Sequence, residues 1–328
     1  MKFIKIVVWL DKKVCIGDIE VHLIEESALT ATTPEILTIA SGKGGVGKTC
    51  FAVNLAIEIA RRGWRTILLD ADLSCSNVES VLGIQCNTRL DNFFCQKGAK
   101  KLASIVQETP YENLRLIPGT SGLLDVANPR YQQKNVLIRE LFKLGADIIL
   151  VDLDAGSHLN TLDFFLSAAD GGIIVINPER TSIDNAFKFL RAALFRRITR
   201  FYNSTEVALL LRRCESLSEF VESVRSSDVL DEEIRDQMIG EMKALACSMQ
   251  PRIVVNKAYS IYEAKIAANI LTKYTRTYLM MEPELLGHIY IDSHVTEAVN
   301  SGTPFVVGQP KRKISTCIAD MANRLGYF

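Results

Sequence analysis

Nine residues, Ser41-Gly42-Lys43-Gly44-Gly45-Val46-Gly47-Lys48-Thr49, constrain the fold more than any other stretch of this chain. From Gly42 to Thr49 they fit G-x-x-x-x-G-K-[ST], whose glycines let consecutive backbone N–H groups turn inward around a polyphosphate. Lys48 is placed to reach the β and γ oxygens of a nucleoside triphosphate, and the Thr49 hydroxyl to ligate Mg2+. Such a loop sits between a buried strand and a helix. Glu35 to Ala40 is the short apolar, β-branched run that should precede it, and Thr49 to Arg62 reads as the helix that follows. Phe51, Leu55 and Ile59 recur at helical spacing, and Gly63 stands where a left-handed C-terminal cap belongs. The helix N-terminus then turns its free N–H groups and positive dipole end toward the phosphates. The plainer alternative is a glycine turn that joins strand to helix without a ligand.

Two further apolar strands end in carboxylates. Thr66 to Asp72 closes with Asp70 and Asp72, and Asp147 to Asp152 closes with Asp152. Open α/β sheets bind ligands at the carboxyl ends of their strands, so these groups can stand beside the loop. Asp70 and Asp152 suit Mg2+, Asp152 through water, and Asp72 suits the neighbourhood of the γ-phosphate. A lone carboxylate at a strand end is often a turn or cap residue; three of them with a phosphate loop argue for a site.

Composition narrows the setting. The chain has 328 residues, with Lys plus Arg and Asp plus Glu at 38 each, so no global charge points to nucleic acid or to an anionic membrane. Its eight cysteines form no C-x-x-C or C-x-C pair, which favours reduced thiols in a cytoplasmic protein over a disulfide framework or a metal cluster. No apolar run approaches the length of a membrane span. The apolar start, Met1 to Leu10, is too short for a signal segment with a cleavage site.

With these residues in view, the sequence resembles the deviant P-loop ATPases of the MinD/ParA class, and within it the flagellar-number regulators FlhG, FleN and YlxH. The resemblance runs from about Glu35 onward. It is carried by Lys43 to Thr49, Asp70 to Gly83, Ile117 to Gly122, Ala146 to Gly156, Ile176 to Ala186, Val254 to Lys257 and the C-terminal Gly287 to Val299 with Pro304-Phe305. It implies an ATP-dependent homodimer with Mg2+ as cofactor and slow hydrolysis. In that family the lysine matching Lys43 reaches the partner's nucleotide, and the residue matching Asp72 positions the attacking water. The nucleotide-binding stretch then comprises Gly42, Lys43, Gly44, Gly45, Val46, Gly47, Lys48, Thr49 and Cys50. Asp154 and Gly156 occupy the place of a γ-phosphate-sensing loop. Asn256 matches a position that hydrogen-bonds adenine; an asparagine satisfying a strand end is the alternative.

Three stretches depart from the family pattern. Thr181 to Pro251 is longer than one crossover helix needs, which predicts a helical insertion over about 201–250. Its first helix opens with a candidate Thr181 and Asp184 capping box and carries Lys188, Arg191, Arg196, Arg197 and Arg200 with no acid between Ala186 and Arg200. Cys214 to Gln250 holds nine acids against three bases, a net of −6. The two segments either pair within the monomer or form a partner surface masked by the insertion. Residues 1–34 read as a β-hairpin-like appendage, packed on the core or extending the sheet, and do not resemble the helical activation motif of flagellar regulators. Ser315 to Leu325 reads as a final core helix rather than a basic membrane anchor, so membrane contact at the inner face of the plasma membrane is expected to be weak and peripheral.

The sequence therefore predicts an α/β, doubly wound, mostly parallel sheet over residues 35–328. The resemblance implies a Mg-ATPase switch that regulates the number or placement of a structure such as flagella, with an unidentified protein partner. Chromosome or plasmid partition, cell-division-site selection, and an ATP-locked scaffold without turnover stay open as alternatives.

Overall fold

Alternate residues of the central strands go to opposite faces of one sheet, which fixes where every helix must lie. Leu37, Ile39 and Leu68 face one apolar cluster, while Ile36, Ala40, Ile67 and Leu69 face another. Both faces are apolar because both are covered, as a parallel sheet requires. The computed structural model describes residues 33–73, 75–94, 101–121, 131–168, 171–226 and 231–328. The expected N-terminal appendage at 1–34 thus lies almost wholly outside the described residues.

In chain order, β1 (Glu35–Ser41) leads into α1 (Lys48–Arg61), and β2 (Thr66–Ala71) into the short helices α2 (Val78–Leu82) and α3 (Leu90–Phe94). A 3-10 turn at Leu102–Ile105 precedes β3 (Gln107–Glu108) and β4 (Leu114–Ile117); α4 (Tyr131–Leu141), β5 (Ile148–Ala155), α5 (Leu159–Phe165) and β6 (Ile173–Ile176) follow. The long α6 (Arg180–Tyr202) opens a helical run continued by α7 (Thr205–Leu211), α8 (Leu217–Arg225) and α9 (Glu232–Cys247). The chain then forms β7 (Arg252–Ala258), α10 (Ile261–Leu279), β8 (Glu284–Tyr290), α11 (His294–Asn300), α12 (Phe305–Gly308) and α13 (Lys313–Arg324).

The sheet order is β3-β4-β2-β5-β1-β6-β7-β8, parallel throughout except for the short edge strand β3. The chain leaves β1 toward β2 on one side and later fills β6 to β8 on the other. The crevice at the end of β1 is therefore the topological switch point, where open α/β sheets take ligands. The doubly wound, mostly parallel architecture is the expected one. Strand β5 runs three residues past Asp152, because β1 pairs with it on one side and β2 on the other.

The helix start at α6 departs from expectation. Glu179, in an extended conformation and without a side-chain cap bond, occupies the cap position, and the proposed Thr181 and Asp184 capping box does not form. The Thr181 hydroxyl instead accepts a hydrogen bond from Lys43 at 3.2 Å. The apolar side of α13, with Ile314, Ile318 and Met321, is buried against the core cluster that holds α1. Among the described residues no helix is long and apolar enough to cross a membrane.

Two of the five bases of α6 are used inside the chain, on a different partner from the acidic stretch at 214–250. Arg196 donates to Asp163 of α5 at 2.8 Å and Arg200 does so at 3.4 Å. Lys134 of α4 also pairs with Asp163, and both of these side chains are buried. Arg191 reaches the acidic stretch only through the backbone carbonyl of Glu215, at 3.1 Å. Burial pushes the Asp163 carboxyl up, but hydrogen bonds from Arg196 and Lys134 outweigh it and hold the group below the usual carboxylate range. One carboxylate thus ties three helices together. Removing it takes away the carboxylate that the buried Lys134 and the half-buried Arg196 and Arg200 share, so Asp163→Ala should lower unfolding free energy by about 3–5 kcal/mol in urea titration.

Candidate functional site

The loop after β1 is shaped by two close approaches that exclude side chains. At Gly42 an added Cβ would lie 2.2 Å from the backbone carbonyl carbon of Asn185 in α6, so only glycine lets the loop pass there. Gly47 has φ +89°, and a Cβ there would lie 2.3 Å from the Asn256 side-chain amide. Asn256, near the end of β7, donates that amide to the Val46 carbonyl at 2.7 Å. Beside it Lys257, at φ +58°, donates to the Gly45 carbonyl at 2.9 Å. Two consecutive residues of β7 therefore hold two consecutive carbonyls of the loop.

The two lysines of the loop have opposite environments. Lys48 is buried and pairs with Asp152 of β5 at 2.7 Å. Lys43 is half-buried and pairs with the exposed Glu179 carboxylate at 2.6 Å. Lys43 holds the Glu179 carboxyl below its ordinary range by hydrogen bond and charge.

Two of the strand-end carboxylates, Asp70 and Asp152, lie side by side. Asp70 and Asp152 are register partners across β2 and β5, and both are buried. Asp70 accepts hydrogen bonds from the Ser76 hydroxyl at 2.6 Å, from the Val78 N–H at 3.2 Å and from the Asp72 N–H at 3.1 Å. Burial, and then the negative charge of Asp152, push the Asp70 carboxyl up to about 7. Burial also raises Asp152, against the pull of Lys48 and of the Thr49 hydroxyl. One oxygen of Asp152, Oδ2, is buried and makes no hydrogen bond among the described residues. Asp72 is half-buried just outside this pair and caps its own turn by accepting from the Cys75 N–H at 2.8 Å. Asp154 lies further along β5, its carboxylate on the Ala155 N–H at 2.6 Å.

These residues suit a hard divalent cation. Two buried carboxylates, one with a free oxygen, stand beside a threonine hydroxyl; all three donors are oxygen. Among the described residues no group of three or more His, Cys, Asp or Glu could hold a metal ion alone. Mg2+ is commonly bound by one or two carboxylates completed by water and phosphate oxygens, so the donor set fits that ion with a bound nucleotide.

A cavity of about 440 Å3 opens on the other side of the loop. Gly47, Cys50, Asn256, Tyr290, Ile291 and Thr296 are among its walls. Its mostly apolar lining, with the Asn256 amide, Lys257 and Asp292 also among its walls, suits a planar base. Burial pushes the Cys50 thiol up to about 12, so this cysteine acts as a small apolar wall.

Three participants were not marked by sequence reasoning. Glu179 and Lys257 lie inside stretches that carried the resemblance, but their contacts with Lys43 and Gly45 span 136 and 212 residues. Ser76 was visible only as a hydroxyl six residues after Asp70.

A glycine loop at the switch point of a parallel sheet, with a buried lysine and two facing carboxylates, defines a P-loop nucleotide-binding fold. The family model described as an AAA domain, AAA_31, matches residues 34–206, and the chain belongs to that family as a P-loop ATPase of the MinD/ParA class, close to FlhG and FleN. The antiactivator FleN of Pseudomonas aeruginosa is 28% identical over 293 residues, covering 89% of this chain and 86% of that protein. A putative septum site-determining protein MinD of Oltmannsiellopsis viridis is 32% identical over 209 residues. That match takes in 63% of this chain and 62% of the relative, so the chain spans about six-tenths of its length. The septum site-determining protein MinD of Pyrococcus horikoshii, solved with Mg-ADP, shares the fold with a TM-score of 0.61 at 21% identity, covering 89% of this chain and 96% of that one.

The raised Asp70 carboxyl has a stability consequence. Between the unfolded value near 4 and the folded value of about 7, the folded chain binds more protons than the unfolded chain, so stability falls as pH rises through that window. Nucleotide-free protein should lose up to ~3 kcal/mol between pH 5 and pH 7 by urea denaturation, at about 1.4 kcal/mol per unit. Asp70→Asn should flatten that slope.

Proposed function

We propose that this chain is an ATP-dependent dimerisation switch with slow, Mg2+-dependent ATP hydrolysis. The observation that carries the reading is the contrast between its two loop lysines. Lys48 is buried against Asp152, whereas Lys43 is held by the exposed Glu179 carboxylate, outside its own loop. Exposed ion pairs contribute only about 0–1 kcal/mol, so Lys43 is readily released toward a facing subunit.

In this reading Lys48 leaves Asp152 for the β and γ oxygens, and the backbone N–H groups of Gly44 to Thr49 surround the phosphates. Thr49, Asp70 and Asp152 would hold Mg2+, which supplies charge neutralisation on the phosphate oxygens. Asp72, outside the buried pair, orients the attacking water. Asn256 and the Cys50 wall border the base. Lys43 of each subunit places a cation on charge developing at the other's phosphates, so hydrolysis depends on pairing. The setting is cytoplasmic, and a regulatory protein partner responds to the paired state.

The cellular role we infer is control of the number or placement of a structure such as flagella, supported by the likeness to FleN across most of both chains. The likeness to MinD proteins supports a second reading, in division-site selection or partition.

Light scattering on purified protein should give a dimer mass with Mg-ATP and a monomer mass without nucleotide; a mass unaffected by ATP would overturn the switch. Lys43→Ala should lower ATP turnover at least tenfold in a phosphate-release assay while equilibrium ATP binding changes less than tenfold. Unchanged turnover removes the trans role, and a wild-type protein that dimerises without releasing phosphate is an ATP-locked scaffold.

A further inference from the structure

Strand β7 loses its regularity where it meets the phosphate loop. Val255 pairs with His288 of β8 and Ala258 with Tyr290, so three steps along β7 match two along β8. The extra residue makes a bulge, which re-aims side chains at the end of a strand. Lys257 takes up the bulge at φ +58°, a left-handed conformation that is unfavourable for a residue with a Cβ. Such strain persists only where surrounding contacts hold it. In a regular strand two adjacent side chains leave on opposite faces, but here Asn256 and Lys257 both reach the same loop.

Their targets are two consecutive peptide groups. Asn256 donates to the Val46 carbonyl at 2.7 Å and Lys257 to the Gly45 carbonyl at 2.9 Å. The Lys257 N–H donates to Asn256 Oδ1 at 2.9 Å, which sets the way the Asn256 amide is turned. Gly47 completes the fit. A Cβ there would lie 2.3 Å from the same amide nitrogen, so this glycine makes room for Asn256 as well as for its own left-handed turn. An asparagine that only closed a strand end would use its amide locally, whereas this one also bonds across 210 residues. Both residues stand in the wall of the cavity beside the loop, so two jobs are open to them, reading a base or shaping the loop.

The geometry of the peptide group favours the second. In a planar trans peptide the C=O and the following N–H point in opposite directions, and no cis peptide occurs among the described residues. Drawing the Gly45 and Val46 carbonyls toward β7 therefore turns the N–H groups of Val46 and Gly47 away from it, into the concave side of the loop. Donors aimed in advance spare a bound polyanion the cost of aligning them.

We propose that Asn256 and Lys257 are positioning residues for the phosphates, acting through the loop backbone to aim two of its N–H donors before nucleotide arrives. The assignment rests on the reading of this loop as the triphosphate site, and it moves the main role of Asn256 from the base to the loop.

The test is calorimetric titration of the purified full-length chain with Mg-ATP and, separately, with Mg-tripolyphosphate, which carries the phosphates and no base. Asn256→Ala, which removes no charge, should weaken both ligands by the same factor, about tenfold. Lys257→Gly keeps the left-handed backbone and loses a charge-assisted donor; it should do likewise, while Lys257→Arg stays within about threefold of the unmodified chain. Unchanged melting temperatures without nucleotide show that the fold is intact; if Asn256→Ala fails to fold, Lys257→Gly and Lys257→Arg decide. A loss on Asn256→Ala confined to Mg-ATP would make that residue a base contact and overturn the proposal. So would tripolyphosphate binding that neither Asn256→Ala nor Lys257→Gly weakens, or a loss on Lys257→Gly that vanishes at high salt while Asn256→Ala is silent, the behaviour of a surface charge. An unmodified chain that binds Mg-ATP but not Mg-tripolyphosphate would likewise show that the donors are not set in advance. Binding of neither ligand would overturn the reading of the loop itself, and this assignment with it.

Discussion

The ion pair between Lys48 and Asp152 organises the centre of this molecule. It joins the loop after the first strand to the strand that pairs with both β1 and β2, and neither side chain is open to water. A charge so buried is tolerable only with its partner in place, so the pair requires the loop to sit over the carboxyl end of β5. That position also fixes where Asp70 must be, one strand away in register. The site holds two carboxylates and one lysine in a space with little water. The charge imbalance appears as a raised Asp70 carboxyl and as an oxygen of Asp152 without a donor. A cation would relieve both at once, which is why the protein part of the site reads as one half of a charge arrangement.

Legibility in the sequence followed the range of the interaction. The phosphate loop, its flanking strand and helix, and the strand-end carboxylates are local patterns, and in the structure Lys48, Asp70 and Asp152 lie together. Contacts across long separations were not legible. Nothing local marks Glu179 as the partner of Lys43, and the Asp163 cluster draws Lys134, Arg196 and Arg200 from 29 to 37 residues away. Apolar periodicity is silent about buried charges, so the bases of α6 could be set only against the neighbouring acidic stretch or an outside partner, and Asp163 went unmarked. The Thr181 capping box failed for a similar reason: a tertiary donor, Lys43, took the hydroxyl that a local rule had assigned to the helix start.

Helix α10 shows the opposite difficulty. Its exposed row of Tyr262, Ile266, Ile270, Tyr274 and Tyr278 is as periodic as any core stripe, and periodicity alone would bury it. The structure buries the alanines instead, because α10 packs closely against its neighbours, and small residues allow that approach. The helix therefore keeps its bulky apolar residues for a surface facing away from its own core.

The approach of Gly42 to the backbone of Asn185 has a mechanical meaning. Main chain rests on main chain there, with no side chain between them to bend or change rotamer and absorb a displacement. The loop and α6 therefore behave as parts of one lever whose short arm is the phosphate end. The long arm runs through the 23 residues of α6, roughly 34 Å at 1.5 Å per residue, to the helical run that begins at Thr205. A shift of a few tenths of an ångström at the short arm would be passed along that rod toward the helices α7 to α9 that follow it.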